Sequence, residues 1–127
     1  MDADQLTLTI TRTGGIVGFD DRITIEPDGR VELTTRGLPD GESGRLLDDW
    51  YERVSTARDA VDWTALGDDT PTTRHPDDMI VAVRTVAGVG RSDDERLGDL
   101  GPLAQDLVND LMGGIEASSS CGPDRPA

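Results

Sequence analysis

The chain contains no lysine, one histidine and one cysteine. Each scarcity removes a class of function. A single thiol, Cys121, cannot close an internal disulfide. A structural zinc site needs several Cys and His ligands, and His75 and Cys121 are the whole supply. His75 precedes Pro76 in a polar stretch and reads as an exposed loop residue. Aromatic residues are as sparse: Phe19, Trp50, Tyr51 and Trp63. The core must therefore rest on Leu, Ile and Val, each contributing about 1.5–3 kcal/mol when fully buried. The longest apolar run, Met79-Ile80-Val81-Ala82-Val83, is far too short to cross a bilayer. The opening Met1-Asp2-Ala3-Asp4-Gln5 lacks the basic region and apolar run of a secretory signal, so a cytoplasmic location is expected.

What is present is acid. The chain has 127 residues, which suits one domain able to bury its own core. It carries 26 Asp and Glu against 12 Arg, a formal net charge of −14. Such a surface repels phosphate backbones and anionic membranes, so neither nucleic acid nor membrane is an expected partner. Two readings of the acidity stay open. It serves solubility, including in a salty cytoplasm where self-repulsion is screened. Or it steers the chain toward a basic partner.

Residues 6–13 alternate apolar and polar, with Leu6, Leu8 and Ile10 on one face and Thr7, Thr9 and Thr11 on the other. That pattern predicts a half-buried strand. Ile23, Ile25, Val31 and Leu33 alternate around Glu26-Pro27-Asp28-Gly29, which predicts a hairpin over residues 22–36. Residues 37–44 read as a loop. A helix is expected from about residues 43–45 to 60, with Leu46, Leu47, Trp50, Tyr51 and Val54 as its apolar stripe. Trp63 and Leu66 fall in a short irregular or helical segment. Residues 67–77 form a polar loop. Residues 79–86 are the most apolar strand, with both faces at least partly covered. Ala87-Gly88 suggests a turn, and residues 89–91 a short last strand. Gly101-Pro102 opens a second helix with Leu103, Leu107, Val108 and Leu111 inward, and Gly113-Gly114 ends it. The expected fold class is α+β, an antiparallel sheet of four or five strands with two amphipathic helices packed on one face. The domain covers residues 1–115. Residues 116–127 turn to Ser, Gly, Pro and Asp and read as a disordered tail.

Catalysis requires acids, bases or nucleophiles brought together. No catalytic residue, metal ligand or cofactor is expected from this supply. The pairs Asp20-Asp21, Asp48-Asp49, Asp68-Asp69, Asp77-Asp78 and Asp93-Asp94 lack the spacing of a calcium loop and read as solvated surface. Gly14-Gly15-Ile16-Val17-Gly18 resembles a phosphate loop only loosely, since no Lys and no helix follow. Its glycines suit a bulge or tight connection between strands. That leaves Ile16, Val17 and Phe19 either tucked under the sheet or presented to a partner.

The run Leu6-Thr7-Leu8-Thr9-Ile10-Thr11-Arg12-Thr13-Gly14-Gly15-Ile16-Val17-Gly18 resembles the start of the emfourin family. These are small inhibitors of protealysin and related thermolysin-like zinc metalloproteases. Members share a strand ending in Arg-Ser/Thr-Gly-Gly, two apolar or small residues and Gly. A hairpin, a helix, further strands and a final helix follow, an order this chain matches over roughly residues 5–113. Family members often carry an aromatic-rich strand where this chain has residues 79–85. The resemblance implies an emfourin-like domain that is not an enzyme. It implies a monomer that occludes the cleft of a protease. The residues expected to touch that partner are Gly14, Gly15, Ile16, Val17, Gly18 and Phe19, then Asp68, Asp69 and Thr70. An acid in the second group could approach the protease zinc, since carboxylate oxygen ligates zinc. Two alternatives stay open: an acidic interaction module with a non-protease partner, and an enzyme built on two carboxylates.

Overall fold

The computed structural model describes residues 7–14, 19–35, 38–66, 79–85, 87–92, 94–111, 114–115 and 118–123. Among the described residues there are seven strands and three helices. The strands are β1 (Leu8–Gly14), β2 (Phe19–Ile25), β3 (Arg30–Thr35), β4 (Leu38–Leu46), β5 (Met79–Thr85), β6 (Gly88–Arg91) and β7 (Cys121–Pro123). The helices are α1 (Asp48–Asp59), α2 (Trp63–Leu66) and α3 (Leu100–Leu111), with a 3-10 turn at Glu95–Leu97 before α3. All seven strands form one antiparallel sheet in the order β6-β5-β1-β2-β3-β4-β7.

The alternation of β1 decides which face is covered. Leu8 and Ile10 point inward with Ile23, Ile25, Val31, Leu33, Val81 and Val83. Against them pack Val54 and Ala57 of α1, Trp63 of α2, and Leu103, Leu107 and Leu111 of α3. The α+β class and the one-sided helical layer thus hold, while the sheet has seven strands rather than four or five. On the opposite face Ile80 and Ala82 of β5 bury against Val89 of β6. This explains why the run from Met79 is apolar throughout: β5 is covered on both sides although it lies next to an edge strand.

The two additional strands come from segments expected to be irregular. Residues 38–46 hold Pro39, Gly41 and Gly44, a weak strand composition. Pairing along β3 overrides it, with a register shift between Leu33 and Thr35 that Gly41 accommodates at φ 78°. Gly44 is required by crowding. A Cβ there would lie 2.5 Å from the Gly122 carbonyl oxygen and 2.8 Å from Ile115 Cγ2. Gly101 is tighter still, since a Cβ would fall 2.1 Å from the Ser92 carbonyl oxygen.

The expected disordered tail from residue 116 is corrected over residues 118–123. Cys121–Pro123 pairs with Gly44–Leu46 of β4, and the Leu47 amide donates to the Ser120 carbonyl at 2.9 Å. The lock is Asp110, in the last turn of α3. Its carboxylate accepts the amides of Ser119 (3.0 Å) and Ser120 (2.9 Å) and both their hydroxyls. An acid at a helix C-terminus opposes the helix dipole. Here four donors from the following segment offset that.

Helix α1 starts later than the sequence suggests. Leu46 completes β4, Leu47 is exposed, and Asp48 and Asp49 lie in the first turn, where they complement the dipole. The Tyr51 hydroxyl donates to the Pro27 carbonyl at 2.7 Å, and its ring lies against Gly29 at φ 95°. The hairpin turn at residues 26–29 is thereby tied to α1. Arg45, spaced to pair with Asp49, instead donates to the Asp28 carbonyl at 3.0 Å.

Candidate functional site

The first candidate segment is the link between β1 and β2. Residues 15–18, including Gly15, Ile16, Val17 and Gly18, lie outside the described residues. Their flanks do not. Gly14 and Phe19 are direct partners across β1 and β2. Gly14 is also the register partner of Met79 on β5.

The second candidate segment lies between α2 and β5 in the chain. Asp68, Asp69 and Thr70, with His75, lie outside the described residues. The chain re-enters the described structure at Met79. The flanks Gly14, Phe19 and Met79 thus share one end of the sheet, on the neighbouring strands β5, β1 and β2, while the other flank of residues 67–78 is Leu66 of α2. Nothing in the spacing of residues 14–19 and 67–73 announced this. It follows from β5 pairing antiparallel with β1.

Beneath this end lies a group that the pattern of apolar residues obscures. Arg12 continues the inward series Leu8, Ile10 and is only 6% exposed. It stands directly across from Asp21, and its Nε donates to Asp21 Oδ2 at 2.7 Å while Nη2 donates to the same oxygen. The two side chains are 7% and 11% exposed. Low exposure strengthens a charge-assisted hydrogen bond and makes loss of either partner costly. The pair thus clamps β1 to β2 two residues below the Gly14–Phe19 step. Arg12 belongs to the family-like motif. A charged residue in phase with an apolar stripe was the signal for it.

Three further reactive groups among the described residues sit in structural positions. Cys121 is buried in β7, and burial pushes its thiol above the ordinary value. Asp94 caps the 3-10 turn through the Arg96 amide, and the Arg96 side-chain hydrogen bond holds its carboxyl below the ordinary range. Glu42, register partner of Leu33, packs against Gly114, and its Oε1 has no hydrogen-bond partner among the described residues. Among the described residues no three His, Cys, Asp or Glu side chains are grouped to hold a metal. Among the described residues no helix is long and apolar enough to cross a membrane.

One concave surface lies elsewhere. A groove of about 600 Å³ runs between α1, the 3-10 turn and α3. Comparison with known proteins leaves the chain unplaced: no family model, curated protein or solved structure matches it.

Proposed function

We propose that this chain is a cytoplasmic, non-enzymatic inhibitor of a thermolysin-like zinc metalloprotease, acting by occluding the active-site cleft. The observation that carries this reading is the double register of Gly14, opposite both Phe19 and Met79. It supports the reading by setting the flanks of the emfourin-like run, Gly14 and Phe19, beside Met79, the first described residue after Asp68, Asp69 and Thr70.

Inhibition by occlusion needs a fixed wedge. A hairpin braced by a buried ion pair reduces the ordering lost on binding, which favours affinity. A standard inhibitor interface buries about 1,600 Å² in total, with a few anchors dominating. Ile16 and Val17 are the anchors in this reading, and an acid at Asp68 or Asp69 sits toward the zinc.

The test is a variant series titrated against a thermolysin-like enzyme. Ile16→Asp and Val17→Asp should each weaken inhibition roughly thirtyfold, about 2 kcal/mol, with unchanged thermal stability. Equal potency of wild type and both variants would remove the hairpin from the interface. Partner capture that leaves protease activity intact would favour the interaction-module alternative.

A further inference from the structure

We propose that the groove between α1 and α3 is a docking site for a basic, amphipathic peptide segment of another protein. The groove lies in the helical layer and does not rest on the inhibitor reading. Its volume of about 600 Å³ falls within the range of ligand pockets, about 300–1,000 Å³.

The walls are built from small residues. Ala57 of α1, Ala60 just after it and Gly98 ahead of α3 face it, with Leu97 and Leu103 as apolar floor. A Cβ added at Gly98 would meet nothing within 4 Å, so the space beside it is open.

The rim supplies the charge. Glu52, Asp99 and Asp106 line the groove and are exposed. None of the three side-chain carboxylates takes part in a hydrogen bond or ion pair among the described residues. The two arginines on the same rim are committed elsewhere. Arg53 lies over the Trp50 ring at 4.7 Å. Arg96 donates to Asp94 at 2.7 Å and to the Ala65 carbonyl at 3.0 Å. Acid therefore outnumbers base on the rim, three carboxylates against two guanidiniums, of which Arg96 is already paired with Asp94. Excess acid above an apolar floor suits Lys or Arg side chains, whose stems cover apolar surface while their heads stay at the charged rim. The net charge of −14 steers a cationic segment toward the molecule, and the concave walls focus the field.

The test titrates a fluorescent, synthetic Leu–Lys amphipathic peptide into the full chain at low salt and follows anisotropy. Binding should weaken about tenfold in Glu52→Gln/Asp99→Asn/Asp106→Asn, and as much in Ala60→Leu, which fills the groove without changing charge. Glu32→Gln/Asp48→Asn/Asp49→Asn removes as much charge outside the groove and should stay within about twofold. Backbone NMR shifts on the unmutated chain should centre on Ala57, Gly98 and Leu103. Four results would overturn the proposal: no binding; equal weakening by both charge triplets; an inert Ala60→Leu; or spermine displacing the peptide at matched charge. The last three would mean that the overall field, not the groove, holds the peptide.

Discussion

Arg12 on β1 and Asp21 on β2 are direct cross-strand partners, and both their guanidinium–carboxylate hydrogen bonds end on one oxygen, Asp21 Oδ2. The pair lies on the apolar face, two residues inward from the strand ends Gly14 and Phe19. Breaking it should destabilise the fold more than any exposed ion pair. Asp21→Ala leaves a buried guanidinium without its acid and should lower unfolding free energy by about 3–5 kcal/mol in urea. The double change Arg12→Met/Asp21→Leu should recover most of that, because it removes the stranded charge. A single variant that unfolds at the wild-type midpoint would show that the pair braces nothing.

Asp110 makes the C-terminal strand sensitive to acid. Partial burial raises its carboxyl, but the hydrogen bonds from Ser119 and Ser120 outweigh this and hold it below the ordinary 3.8. A folded value below the unfolded one means that the carboxylate stabilises the fold fully above about pH 5. That contribution fades as pH falls through the folded value. Asp110→Ala strands the buried Ser120 donors and should cost about 1–3 kcal/mol at neutral pH. Chemical labelling of Cys121, now covered in β7, should accelerate in this variant and in acid-treated wild type. Unchanged labelling in both would detach Asp110 from the strand.

The surface charge makes a separate prediction about salt. With 26 acids and 12 arginines, self-repulsion opposes folding at low ionic strength. Raising salt toward 1 M shortens the Debye length to about 3 Å and should raise Tm. A flat or falling Tm over that range would remove the repulsion argument.

Much of this fold is legible in the sequence, and the exceptions share a cause. β1, the β2–β3 hairpin and α3 advertise themselves because burial of Leu8, Ile10, Ile23, Val31, Leu103 and Leu107 imposes a period on each segment. β4 and β7 do not. Their pairing rests on the absence of a side chain at Gly44 and on Asp110 gripping two serines nine and ten residues away. Such contacts leave no period. Leu46 and Leu47 look helical beside Trp50, yet Leu46 is buried as the end of β4 and Leu47 is exposed. A shift of three to five residues at the helix start, from residues 43–45 to Asp48, accounts for that misreading. As for the candidate site, the hairpin flanks could be read from the Gly-rich motif. Their proximity to the start of β5 could not, because strand order is set by long-range pairing. The groove residues escaped for a similar reason. Glu52, Asp99 and Asp106 become neighbours only when α1 and α3 pack side by side.

The most direct measurement is the residual activity of a thermolysin-like metalloprotease titrated with the purified chain. The account predicts loss of activity on a small substrate at micromolar or lower chain, relieved competitively by substrate. Full activity at micromolar excess, with the chain intact and folded at the end of the assay, would contradict it.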